Sequence, residues 1–166
     1  MSKIRHTAII IAAMLFASPA LAGTCADVAA AYGKALAADP ALPRMLDGWD
    51  GASGMPLMYM SDDGAVTANI ACNPAGDVNT LRFEVDFGAG GQAKALDSFA
   101  GAAQAFATAF DPQAKTADAA KSAADTAVKS GKGAATLPLG AGYSANMDAR
   151  QDADGSGKLR FSIKPN

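Results

Sequence analysis

The segment from Asp152 to Leu159 has the ligand spacing of a calcium-binding loop. As an EF-hand loop, it matches the required pattern at positions 1, 3, 5, 6 and 8. Position 12 is Ile163, where the calcium shell needs a bidentate glutamate, and the residues after the glycines alternate like a strand. We therefore predict a hairpin turn and no metal site, with weak calcium binding as the alternative.

A methionine-rich segment spans residues 45–60. It contains four methionines and the only tryptophan of the chain: Met45, Trp49, Met55, Met58 and Met60. Thioethers are soft ligands that suit Cu(I), so one interpretation is a periplasmic small-ligand or Cu(I) carrier. A site built from thioethers alone would bind weakly, and methionine is an adaptable filler of protein cores. We expect the methionines to pack in the core and keep the carrier as the alternative function.

The first 22 residues have the three parts of a secretory signal peptide. Basic residues precede an apolar run of 11 residues, Thr7 to Ala17, which is followed by the small-x-small sequence Ala20 to Ala22. A membrane-spanning helix needs about 20 apolar residues, so this run is too short to be an anchor. We therefore predict cleavage after Ala22.

Cleavage would leave one mature domain, residues 23–166, in the periplasm or outside the cell and without membrane insertion. A lipoprotein acylated at Cys25 is the alternative. Thr24 disfavours it, because a small glycine, alanine or serine normally precedes the acylated cysteine.

Cleavage would also remove His6, the only histidine of the chain. The mature chain then lacks the Ser-His-Asp and Cys-His pairings and nearly every histidine-based metal site. Glu84 and Asp86 could supply two carboxylates, but alternate strand residues lie about 7 Å apart and exposed carboxylates have ordinary pKa values. We therefore predict that the protein is not an enzyme and needs no cofactor.

The charge of the mature chain disfavours nucleic acid as a partner. Lys3 and Arg5 leave with the signal peptide, so 12 basic residues remain against 16 acidic ones, a net charge of −4. Binding to phosphates needs a clustered basic face, and the sequence has no such cluster. We expect another protein of the cell envelope as the partner instead.

Two surfaces are candidates for binding that protein. The first choice is the loop Asp47–Met55, which offers Trp49 and Met55, because tryptophan and methionine are enriched in interface cores. The second is a charged strand face with the residues Arg82, Glu84 and Arg160. The alternatives are that Trp49 folds back over the edge of the core and that the charged face is only solvated.

Cys25 and Cys72 are an even pair in a chain expected to be exported, and oxidising compartments favour disulfides. They lack the Cys-x-x-Cys spacing of redox-active thiols. We predict a disulfide that joins the start of the first helix to the buried face of a central strand. A loop of this size would stabilise the fold by roughly 4 kcal/mol in the chain-entropy model.

The apolar pattern predicts a small α+β core. Of 166 residues 50% are apolar, but 41 of these are alanines, so few large side chains remain to fill the interior. Apolar residues recur at helical spacing in 26–38, 96–110 and 116–130. They alternate with polar residues in 66–72, 81–87, 143–147 and 159–163, and a further short strand could span 57–60.

The element order is therefore α-ββ(β)-αα-ββ. We predict a single α+β domain with an antiparallel sheet of four to five strands, made from two β-hairpins, and helices packed on one face. Together with the expected export, this favours a small periplasmic or secreted protein-binding module, such as an inhibitor, immunity or envelope accessory protein.

Overall fold

Local sequence signals set the ends of the helices in the computed structural model, which describes residues 23–49, 51 and 56–166. The described helices are α1 (Cys25–Ala38), α2 (Gln92–Thr108) and α3 (Thr116–Ser130), with one 3₁₀ turn at Gly140–Gly142. Thr24 and Asp27 form a capping box that begins α1. Gly131 ends α3 in the left-handed conformation, φ 79°, which glycine adopts without a Cβ penalty.

The described strands form one antiparallel sheet in the order β1-β2-β3-β6-β5-β4. They are β1 (Leu57–Met60), β2 (Val66–Cys72), β3 (Val78–Phe87), β4 (Lys132–Leu139), β5 (Tyr143–Gln151) and β6 (Gly157–Pro165). Each run of three strands forms a meander, and the central pair β3 and β6 joins the two meanders. The α+β class is thus confirmed, with three helices and six antiparallel strands in the described part of the chain.

The prediction of four to five strands in two hairpins was incomplete. The missing strand is β4, whose sequence KGAATLPL has small residues and a proline in place of alternating large apolar residues. Its pairing with β5 depends on the tertiary fold, which local periodicity does not report. Helix α2 also begins at Gln92 rather than near residue 96, while the hairpin turn at 152–157 lies where it was predicted.

The described helices cover one face of the sheet, as predicted, and this follows from the alternation within the strands. In β3, Leu81, Phe83 and Val85 are buried on the helix side, while Arg82 and Glu84 lie on the other side. The same alternation continues in β5 and β6. The core is therefore a single layer between the sheet and the helices.

Aromatic rings fill the middle of this layer. Phe83 of β3 stacks on Phe99 of α2, with 5.7 Å between ring centroids. The ring centroid of Phe106 of α2 lies 4.6 Å from that of Tyr32 of α1 and 6.4 Å from that of Phe161 of β6. One ring cluster thus connects two helices with the two central strands.

Small residues let the helices approach the sheet closely. The buried faces of α2 and α3 consist largely of alanine. At Gly133 of β4, an added Cβ would lie 1.9 Å from the carbonyl oxygen of Ala123 in α3. Glycine at this position is therefore required by the contact between α3 and β4.

The predicted disulfide is confirmed. Cys25 at the start of α1 is bonded to Cys72 at the end of β2, with 6.1 Å between the Cα atoms. The strand it reaches is second from the edge of the sheet rather than central, and it has a register shift at Ala71/Cys72. A disulfide is compatible with an extracellular or periplasmic location. None of the described helices is long and apolar enough to cross a membrane.

The aromatic cluster yields a stability prediction. Phe83→Ala and Phe99→Ala should each lower the free energy of unfolding by roughly 3–5 kcal/mol, because each leaves a cavity in the single core layer. Urea denaturation of the mature protein measures this. As a control, Val128→Ala on α3, where the side chain is 55% exposed, should change stability by less than about 0.5 kcal/mol. Losses below about 1 kcal/mol for both phenylalanines would contradict this account of the core.

Candidate functional site

The sheet face opposite the helices carries side chains from all six strands, and we call it the open face. Two neighbouring rows of paired residues cross its centre. The first row is Met60, Thr67, Glu84, Arg160, Asp148 and Ala134. The second row is Met58, Asn69, Arg82, Ser162, Asn146 and Thr136. All twelve residues are exposed or half-buried.

An ion-pair cluster occupies the middle of the open face. The Glu84 carboxylate accepts hydrogen bonds from Arg160 Nε and from Lys158 Nζ, the latter at 3.3 Å. Lys158 Nζ also lies 3.2 Å from the carboxylate of Asp86. The Glu84 side chain is only 13% exposed, so its charge is held largely out of solvent by these partners.

The cluster shifts the pKa values of its members. Burial alone would raise the pKa of Glu84, but the hydrogen bonds and positive charges of Arg160 and Lys158 outweigh it, and the pKa lies below its ordinary value. The pKa of Lys158 is raised, mainly by its hydrogen bond with Asp86. Both groups are therefore held in their charged forms at neutral pH.

The predicted charged residues thus lie on one face. Glu84 and Arg160 are paired across the central strands, and Arg82 is exposed two residues from Glu84 on β3. Alternation along β3 and β6 was enough to group them. The contact between Glu84 and Arg160 depends on the pairing of strands that lie far apart in the sequence.

Two depressions flank the ion-pair cluster. The larger, with a volume of about 1010 Å³, lies over β4, β5 and β6 and is lined by charged residues that include Lys132, Arg150 and Asp148. The smaller, of about 460 Å³, lies over β1, β2 and β3, and its lining includes Met58, Met60 and Arg82. The smaller depression therefore combines apolar and charged side chains.

The methionines of the segment 45–60 divide between the core and the surface. Met45 is 2% exposed and lies in the core, as expected. Met58 and Met60 are 77% and 69% exposed on the open face, so the expectation that they pack in the core was wrong. Their alternation with Leu57 and Tyr59 was visible in the sequence, but it did not indicate which side of β1 faces solvent.

Of the first-choice loop Asp47–Met55, the structure describes residues 47–49 and 51. Trp49 is half-buried and packs against the hydrophobic core, which is the arrangement named above as the alternative. Its Nε1 atom is buried and has no hydrogen-bond partner among the described residues. Met55 lies outside the described residues, as does the predicted signal peptide, 1–22.

The aspartates of the calcium-like segment serve its turn. The Asp154 carboxylate accepts hydrogen bonds from the N–H and hydroxyl of Ser156, at 2.9 and 2.6 Å, and these bonds lower its pKa. Asp152 pairs with Arg150 at 2.8 Å. Over the described ranges, no group of three His, Cys, Asp or Glu side chains is placed to hold a metal ion.

No protein-family model, curated protein or solved structure matches this chain. The support for a function therefore comes from the geometry of the described residues.

The ion-pair cluster predicts a pH dependence of stability. The pKa of Glu84 is lowered in the folded state, so its contribution is complete above the unfolded-state pKa of about 4.3 and is lost as the pH falls through the lower folded value. Lys158 and Arg160 are partly solvated, which limits the contribution to about 1 kcal/mol. Glu84→Gln should therefore destabilise the protein at pH 7 and do so by a smaller amount at pH 3.

Urea midpoints at the two pH values measure this, with Asp97→Asn on the exposed side of α2 as the matched control. An equal destabilisation by Glu84→Gln at both pH values would contradict the assignment.

The position of Trp49 predicts its fluorescence. Emission should be blue-shifted and resist iodide quenching, and Trp49→Ala should cost about 2 kcal/mol of stability because a half-buried ring is lost from the core edge. Fluorescence spectra and urea midpoints of the mature protein test both. Emission like that of free indole, with an unchanged midpoint, would instead leave Trp49 available to a partner.

Proposed function

We propose that this chain is a small exported, non-enzymatic protein-binding module of the cell envelope and that its open face contacts the partner. The class includes inhibitors, immunity proteins and envelope accessory proteins. The disulfide supports an oxidising location, and the apolar run before Ala22 supports export.

The observation that carries the proposal is the exposed methionine pair next to Arg82. Exposed apolar side chains that lie together and are bordered by polar residues mark interaction surfaces. Methionine and arginine are enriched at protein interfaces, and the methionine side chain adapts to irregular surfaces. Met58, Met60 and Arg82 share the smaller depression and would form the centre of the contact.

The ion-pair cluster supports a role in orientation. Glu84, Arg160 and Lys158 already hold one another in place, so a partner meets fixed charges rather than flexible ones. Such charges contribute more to specificity and association rate than to affinity. The cluster lies beside the methionine pair, as expected for the polar surroundings of an apolar contact.

The state of Glu84 also supports a non-enzymatic role. A general base that works near neutral pH needs a carboxyl pKa that is raised, whereas the pKa of Glu84 is lowered. Its two oxygens are already engaged by Arg160 and Lys158.

A Cu(I) carrier is the second candidate, and the exposure of Met58 and Met60 on one side of β1 favours it. Met45 could not join such a site, because it is buried in the core. The site would then consist of two thioethers beside the positive charge of Arg82, which repels a cation. Protein binding is therefore the better-supported function.

Site-specific crosslinking tests the proposal. A photo-reactive amino acid at Asn69 on the open face should give a defined adduct in envelope extract, whereas the same group at Lys94 on α2 should not. Excess unlabelled mature protein should suppress the adduct. The double variant Met58→Glu, Met60→Glu should compete at least tenfold less well, since central interface residues contribute about 2 kcal/mol or more.

Val128→Glu, which places the same charge at an exposed apolar residue of α3, is the matched control and should compete like the wild type. Equal labelling at Asn69 and Lys94, or full competition by the double variant, would contradict the proposal. Titration with Cu(I) under reducing conditions distinguishes the second candidate. Stoichiometric binding that the double variant loses would favour the carrier.

A further inference from the structure

Strand β4 is an outer strand of the described sheet, and its long outer edge is unpaired among the described residues. It spans eight residues and pairs with β5 alone in this part of the chain, whereas the opposite outer strand, β1, has four residues. Natural proteins protect such edges with charges, prolines or a covering segment, because free backbone groups attract another strand. In β4, the charge and the proline stand near its ends, at Lys132 and Pro138, and the stretch between them is uncharged.

The hydrogen-bond pattern shows which backbone groups of β4 point outward. The N–H of Gln151 donates to the carbonyl of Gly131 at 3.0 Å, so residue 131 belongs to a hydrogen-bonded pair with β5. In an antiparallel ladder such pairs alternate, so residues 133, 135 and 137 also bond to β5. The groups of 132, 134, 136 and 138 therefore point away from the sheet. Pro138 agrees with this, since proline in an edge strand places its missing N–H outward.

One outward group is already satisfied. The carbonyl of Lys132 accepts a hydrogen bond from the Ser130 hydroxyl at 2.9 Å. Among the described residues, three donors and three acceptors then remain without partners. They are the N–H groups of Lys132, Ala134 and Thr136 and the carbonyls of Ala134, Thr136 and Pro138.

We propose that β4 pairs with β4 of a second copy of this chain, antiparallel and with Ala135 next to its own symmetry mate. In this register Ala134 lies opposite Thr136 of the second copy, and the two exchange both hydrogen bonds. The N–H of Lys132 donates to the carbonyl of Pro138 of the second copy. Pro138 has no N–H to donate to the Lys132 carbonyl of the second copy. That carbonyl needs no further donor, because it already accepts a hydrogen bond from the Ser130 hydroxyl. Every free donor and acceptor of the edge is thereby matched.

The side chains of the edge fit the same register. On the helix side, the half-buried Leu137 lies opposite Gly133 of the second copy, which has no side chain to obstruct it. On the open face, Lys132 lies opposite Pro138, so no like charges meet across the junction. Helix α3 packs on β4 and β5, so the two copies of α3 would lie next to each other on the same side of the joined sheet.

The dimer would join two six-stranded sheets into one, with both open faces on the same side. A partner with two contact sites would then bind with avidity. The inference does not depend on the proposed function, because it uses the edge of the sheet rather than the methionine pair.

Cysteine crosslinking tests the register. The native disulfide-bonded mature protein carries a single added cysteine, either Ala135→Cys or Ala134→Cys. Position 135 faces its symmetry mate at about 4.5 Å between Cα atoms, within disulfide range. Ala134 lies opposite Thr136 of the second copy and not opposite its own symmetry mate. The Cα atoms of the two copies of Ala134 are therefore more than about 7 Å apart, beyond disulfide range. Mild oxidation should convert Ala135→Cys to a covalent dimer at least tenfold faster than Ala134→Cys. Equal rates would overturn the register.

Analytical ultracentrifugation tests the edge itself. The wild-type protein should dimerise reversibly, and Ala134→Pro should raise the dimer dissociation constant at least tenfold because it removes an outward N–H and adds a ring at the junction. The matched control Ala134→Thr keeps the N–H and should change the constant less than about twofold. Circular dichroism confirms that both variants are folded. A wild-type protein that stays monomeric at about 1 mM would overturn the proposal, whatever the variants do.

Discussion

The aromatic cluster between α2 and the two central strands is the contact on which the rest of the structure depends. Phe106 touches rings from α1, β3 and β6, and Phe83 stacks on Phe99, so four elements meet at one point. Aliphatic side chains of the strands surround this cluster, while much of the apolar content of the helices is alanine. The alanine surfaces of α2 and α3 contribute by close approach, and Tyr32 and four phenylalanines are among the largest fully buried side chains.

The described helices form a single layer that leaves the other face of the sheet uncovered in the part of the chain that the structure describes, and that face carries the candidate binding site. The two sides of β3 illustrate the division: Phe83 belongs to the core, while its neighbours Arg82 and Glu84 face outward. The core contact and the binding surface are therefore built from the same strands. A change that shifted β3 by one residue relative to β6 would bury Glu84 and expose Phe83. The pairing register of β3 and β6 is therefore required both for the stability of the core and for the candidate site.

Much of the fold could be predicted because it follows from local periodicity. Alternation identified β2, β3, β5 and β6, helical spacing identified α1 to α3, and two cysteines in a chain expected to be exported indicated one disulfide. Strand β4 was not predicted because its small residues and proline carry no alternation of large side chains. Its place in the sheet is defined by its pairing with β5 and by the close packing of α3 at Gly133. In the candidate site, Arg82, Glu84 and Arg160 were predicted, and Met58 and Met60 were assigned to the core.

The sequence by itself determined which residues share a face of each element, because side-chain direction follows from the backbone period of a helix or strand. It also determined the capping box of α1, the turn chemistry and the cysteine pair. Only the tertiary structure decided which strands become neighbours, and therefore that Arg160 reaches Glu84 across the central pair. It also decided which strand lies at an edge and which methionines face solvent, because these properties depend on hydrogen bonds and packing between segments far apart in the chain.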